Sequence, residues 1–162
     1  MKLALAVASL LGLAAPLGAA AEVTLKFDGG IGVIPVSSVN ASGVGTANVV
    51  LGVSPGGQPW VIARLTAKVR SDGRISVDGR GLLLAGGNGI GTNGGQSVEA
   101  RLFCGGVAHD TGTVPLEANG DFKIDDMLSP TPPSPCTNPV LLIVSAGNRW
   151  FAAGIPVRDD ER

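Results

Sequence analysis

Tyrosine is missing from this chain of 162 residues, and its aromatics number six, two Trp and four Phe. Charge is scarce too. Asp, Glu, Lys and Arg make up 15% of the residues, against about 25% in an ordinary soluble domain. There is one His, and there are two Cys. Each scarcity excludes something. A nucleic-acid binder draws on a Lys/Arg excess and on aromatics that stack bases; twelve basic against thirteen acidic residues provide no such excess. Two Cys and one His cannot complete a closed four-ligand zinc site. No C-x-x-C is present for thiol redox work, and no G-x-S-x-G elbow for a serine nucleophile. No cofactor is expected. What is abundant is glycine, with 25 residues, and apolar residues, at 44%. That apolar share excludes a disordered chain. The glycines cluster rather than recur every third position, which excludes collagen.

The N-terminal segment reads as an export signal. Met1-Lys2 gives a basic tip, Leu3 to Ala15 is apolar apart from Ser9, and Ala19-Ala20-Ala21 is a small-residue end. That order describes a cleavable secretory signal peptide over residues 1–21. Pro16 interrupts the run below the roughly 18–20 residues a helical span needs, so no transmembrane span is expected in the mature chain. Residues 22–162 are expected to form a single β-sandwich domain in a secreted or periplasmic protein. Losing Lys2 leaves 11 basic against 13 acidic residues, a net of −2. In that compartment Cys104 and Cys136 are expected to form a disulfide.

No helical periodicity of useful length follows. Short stretches of period two recur, parted by Gly, Pro, Asn and Asp. They place strands near 22–27, 31–37, 46–53, 60–70, 74–85, 96–104, 112–117, 121–126, 139–145 and 149–157. The expected fold is all-β: an antiparallel β-sandwich, immunoglobulin-like or related, of about 8–10 short strands, with a small β-barrel as the alternative.

Registers follow from the alternation. A three-residue loop, Ser71-Asp72-Gly73, pairs Val69 with Ile75 and Ala67 with Val77 and keeps one face apolar; a two-residue loop would mix core with solvent. The same register sets Leu65 against Gly79 on the inner face. On the outer face it sets Trp60 against Leu84, Ile62 against Leu82 and Arg64 against Arg80. Ala118-Asn119-Gly120 repeats the device and would pair Leu116 with Phe122 and Val114 with Ile124. Val140–Val144 is unbroken apolar and is expected to be buried on both faces.

Several groups invite a functional reading. Trp60, Ile62, Arg64, Lys68, Arg70, Arg74 and Arg80 would share the outer face of the long hairpin, an apolar end beside a basic one. That is a candidate patch for an anionic glycan, a lipid surface or an acidic partner. Gly86, Gly87, Asn88, Gly89, Gly91, Asn93, Gly94 and Gly95 form a glycine-rich stretch containing a formal G-x-G-x-x-G. The dinucleotide reading needs a following helix, whereas Gln96–Cys104 alternates like a strand. A mobile loop between strands is the better reading, with exposed amides that can cradle an anion as the sharper option. His109 sits in Ala108–Gly112, which reads as a surface turn. Glu117, Asp121, Asp125 and Asp126 read as a solvated hairpin edge, with a weak calcium site as the sharper option. Ser129–Pro139 reads as an extended crossover pinned through Cys136. Asn40-Ala41-Ser42 is a glycosylation sequon, meaningful only in a eukaryotic secretory pathway.

The residues therefore point to an exported, non-catalytic β-sandwich protein, used for binding or as an envelope or extracellular structural component. Its partner would be a cell-envelope component, a glycan or another protein. The alternatives are a secreted hydrolase using His109 or the acidic hairpin, and a calcium-stabilised extracellular module.

Overall fold

A computed structural model describes residues 20–158; most of the expected signal peptide lies outside the described residues. The strands, in chain order, are β1 (Val23–Gly32), β2 (Val36–Val39), β3 (Gly45–Ala47), β4 (Ser54–Pro55), β5 (Trp60–Val61), β6 (Arg64–Arg70) and β7 (Arg74–Arg80). They continue with β8 (Leu83–Leu84), β9 (Ser97–Cys104), β10 (Val107–Asp110), β11 (Val114–Pro115), β12 (Phe122–Met127), β13 (Val140–Ser145) and β14 (Arg149–Pro156). No helix occurs among the described residues, and so none is long and apolar enough to cross a membrane.

One large sheet runs β10-β9-β13-β14-β1-β6-β7-β12, with β11 beside β9 and β4 beside β14. Its pairings are antiparallel except β4 with β14. The sheet curls into a half-barrel. Its two end strands meet where Asp110 bridges Ser129, just past β12, through amide bonds of 3.0 and 2.9 Å. Inside the curl lie Phe27, Leu65, Val69, Ile75, Leu102, Ile124, Leu141 and Ile143, all essentially sealed from water. β13 is buried on both faces, as its unbroken apolar run requires.

Three turns share one design. Ser71-Asp72-Gly73, Ala118-Asn119-Gly120 and Ala146-Gly147-Asn148 are each closed by an amide donating back three residues: Gly73 to Arg70, Gly120 to Glu117, Asn148 to Ser145. The donor residue has positive φ each time, +88°, +80° and +58°. Glycine fills that left-handed position freely, and Asn is the residue that tolerates it next best. The first turn sets the expected register: Val69 opposite Ile75, Ala67 opposite Val77, Leu65 opposite Gly79.

Four local expectations are corrected. The 118–120 turn forms, but its arms part at once. Val114 pairs with Val98, while Phe122 pairs with Gly79 and Ile124 with Val77. Gly79 explains this: a Cβ there would overlap the Phe122 ring, so only a bare backbone accepts that aromatic. Second, the ladder from β6 and β7 stops at Arg64 and Arg80, where Gly81 turns left-handed (φ +62°) and Ala63 and Arg64 are both exposed. Alternation loses a step, so Trp60 pairs with Leu84 as expected yet points into the core instead of outward. Third, 31–37 and 46–53 are not two strands of the large sheet. Residues 31–32 continue β1, and β2 with β3 form a separate two-stranded ribbon. Fourth, His109 is not in a surface turn. Gly105-Gly106 (φ +57° and +84°) makes a tight hairpin that returns the chain along β9. His109 then lies opposite Leu102 and shares its inward face, 3% exposed.

The Cys104–Cys136 disulfide is present, with Cα atoms 5.0 Å apart. It fastens the proline-rich crossover to the end of β9. Closing a loop of 32 residues stabilises the fold by about 3–4 kcal/mol in the chain-entropy account.

Candidate functional site

Two regions stand out, and they differ in charge. The first is the outer face of β6, β7 and β12. It gathers Arg64, Lys68, Arg70, Arg74 and Arg80, of which Arg74 and Arg80 are matched by acidic side chains. Arg80 grips Asp78 at 2.7 and 3.1 Å and reaches Asp121 at 2.9 Å. Arg74 lies 3.4 Å from Asp125, and Lys123 lies 3.6 Å from Asp78. Arg70 donates to the Ala21 carbonyl at 3.1 Å. The Arg80 guanidinium holds the carboxyls of Asp78 and Asp121 below the ordinary carboxylate range. A depression of about 290 Å³ between Thr66, Lys68, Ser76, Asp78, Lys123 and Asp125 is therefore lined by both signs. Trp60 and Ile62 do not join this face. Trp60 stacks on Phe151 with centroids 4.1 Å apart, and Ile62 packs against the core.

The second region has no charge at all in its two main segments. Neither residues 29–63 nor residues 81–98 contain Asp, Glu, Lys, Arg or His. These segments pack together. Trp60 donates its amide to Val33, Ala85 donates to Pro59, and Gly94 abuts the Trp60 ring. Between them and the β13–β14 turn lies a cleft of about 420 Å³, lined by Gln58, Trp60, Gln96, Ser145, Arg149 and Phe151 among others. Its polar groups are amides and a hydroxyl, with Arg149 as the one ionisable group. Nine of the thirteen exposed large apolar side chains belong to these two segments, from Ile31 and Ile34 through Val36, Val39 and Val44 to Ile90.

Comparison with protein-family models, curated proteins and solved structures finds no match for this chain.

The glycine-rich loop borders the cleft and is knitted to itself. The amides of Ile90, Gly91, Thr92, Gly95 and Gln96 donate to Gly87, Leu84, Gly89, Asn93 Oδ1 and Asn93, in that order. Asn93 Nδ2 also ties the loop to the Leu116 and Glu117 carbonyls at 3.0 Å. Gly86 and Gly87 lie against Pro59 and Gln58, while Gly89 and Gly94 lie against Leu84. The amides of residues 90–92 and 94–96 are thus engaged. Asn88 and Gly91 stand at the tip beside Ile90, which is 64% exposed.

The groups considered for catalysis are dispersed. His109 Nδ1 meets the Pro130 carbonyl at 2.6 Å, and its Nε2 is buried without a partner. Asp126 accepts amides from Gly112 and Met127, which holds its carboxyl below the ordinary range. Among the described residues no three His, Cys, Asp or Glu converge on a common point. A separate polar knot joins Arg101 to both Asp110 oxygens at 2.6 and 3.1 Å, to Glu99 at 3.3 Å and to Asn148. Burial, with Asp110 nearby, raises the Glu99 carboxyl above its ordinary value despite Arg101. Sequence reasoning missed this knot, since it needs β10 beside β9.

Proposed function

We propose that this is an exported, non-catalytic β-protein that works by binding, outside the cytoplasm, through its uncharged end. The observation that carries this reading is the segregation of charge: exposed apolar side chains collect where ionisable ones are missing. Exposed apolar surface of that kind marks contact sites. The cleft beside it offers amide and hydroxyl groups with Arg149 as its single charge, which suits a hydroxyl-rich ligand such as a glycan. The disulfide is compatible with an extracytoplasmic location, and the basic tip and apolar run of residues 1–21 support export. The meeting of Asp110 with Ser129 favours a small barrel over two packed sheets. The non-catalytic reading gains support from His109 and Asp126, whose bonds to Pro130, Gly112 and Met127 hold the fold. Arrays of cell-wall fragments, neutral glycans and anionic lipids test the proposal. Binding of neutral glycans that Gln96→Ala weakens is expected. Silence on every array, together with turnover of any substrate, would overturn it.

A further inference from the structure

We propose that Thr131 and Ser134 are acceptors for O-linked sugars. This rests on the export half of the reading above and goes beyond its binding half. Eleven residues, Ser129–Pro139, cross from β12 to β13, and nine of them are Ser, Thr or Pro. That composition is the one that carries O-linked glycans on extracellular stalks. Here it forms a strap across a folded body, in neither helix nor strand apart from the bridge at Ser129.

The strap is fixed toward both ends. Ser129 exchanges amide bonds with Asp110, and the Pro130 carbonyl meets His109 Nδ1 at 2.6 Å. At the far end Cys136 is tied to Cys104, and the Thr137 carbonyl accepts the Gly105 amide at 2.6 Å. Between these points residues 131–135 make no backbone hydrogen bond among the described residues. Pro132 is buried and lies, with the Thr131 methyl, against Gly73. The stretch is thus held in place without spending its polar groups. Thr131 and Ser134 are both exposed, and each has proline on either side: Pro130-Thr131-Pro132 and Pro133-Ser134-Pro135. The hydroxyls of Thr92, Thr111 and Ser145 brace loops and strands; those of Thr131 and Ser134 bond to no described residue. A transferase has to seat its acceptor as an open, unpaired backbone. A segment without ladder bonds offers one with no unfolding, and its prolines leave little conformational freedom to lose on seating.

Charge bears on the group transferred. Phosphorylation would set about two negative charges on a strap with no basic residue anywhere from Leu128 to Asn148. A neutral sugar needs no counter-charge. The donor is a sugar linked through phosphate to a nucleotide or a lipid. The Thr or Ser oxygen attacks the anomeric carbon, and the bond from that carbon to the phosphate oxygen breaks. The phosphate leaves with the electron pair, and the hydroxyl proton passes to a base of the transferase.

Intact mass spectrometry of the protein purified from its own host after export tests this. The chain should carry one or more whole hexose or hexosamine units, and fragment spectra should place them on Thr131 and Ser134. Thr131→Val combined with Ser134→Ala should abolish them. Near-UV circular dichroism and an intact Cys104–Cys136 bond check that this variant folds. Sugars that persist in the double variant overturn the proposal, as does phosphate in their place. Loss of residues 1–21 is read from the same spectrum. A processed chain without sugar overturns this proposal alone, whereas an unprocessed chain without sugar overturns the export reading with it.

Discussion

The outer face of β6–β7–β12 and the uncharged end treat polarity in opposite ways. On the first, each strand alternates, and opposite charges come from the same strand or from beside it: Arg80 has Asp78 and Asp121, and Arg74 has Asp125. That surface balances part of its own charge. At the other end segments 29–63 and 81–98 carry no ionisable groups, fold their polar loop onto itself and leave valines and isoleucines outside. One surface resists company and the other lacks any means to refuse it. On this contrast rests the proposal that binding lies where charge is absent, not where basic residues are most numerous.

Substitutions can sharpen or break this contrast. The largest effect is expected under the uncharged end. Trp60→Ala removes the ring stacked on Phe151 and should cost about 3–5 kcal/mol in urea unfolding. A loss below 1 kcal/mol would mean that the end is a loose appendage. Replacing Cys104 and Cys136 with Ser should cost about 3–4 kcal/mol in the same measurement. Acid comes next and probes the charged face. Asp78, Asp121 and Asp126 have lowered carboxyl values, so their stabilisation is full above the unfolded value of about 4 and fades as pH falls below it. Glu99 is raised; its contribution has the opposite sign and declines as pH climbs through its folded value. Unfolding midpoints from pH 7 downward should fall in the acid range, and a flat profile would remove the contrast. The smallest effects are expected from Arg64→Ala and Lys68→Ala, which meet no acidic partner among the described residues. Each should shift stability by less than about 0.5 kcal/mol.

Much of the β6–β7 hairpin was legible in the sequence, because alternation and a glycine at the third loop position leave one consistent register. The buried β13 was legible from composition alone. The rest failed where a backbone detail outranked pattern. Gly81 breaks the ladder and sends Trp60 inward. Gly79 attracts Phe122 across to β7 and separates it from Leu116. The signal for β10 was present in Gly105-Gly106, a pair suited to the tightest hairpin turn. It escaped notice because Ala108-His109-Asp110 looks polar, and so the Arg101–Asp110–Glu99 knot escaped with it. Of the candidate site, the absence of charge from 29–63 was readable. That this stretch stands away from the large sheet was not, since its short valine runs resemble ordinary strands.

The ribbon leaves the body and returns to it at neighbouring points. Val33 donates to Phe151, and Trp150 Nε1 donates to the Asn48 carbonyl at 2.8 Å, so both ends are pinned to one stretch of β14. Between those pins the frame makes few demands on the intervening residues. Doubling a loop between fixed ends costs only about 0.6 kcal/mol. The ribbon is thus a cassette: its sequence and length can drift, or be replaced by a grafted recognition loop, while the frame beneath keeps its shape.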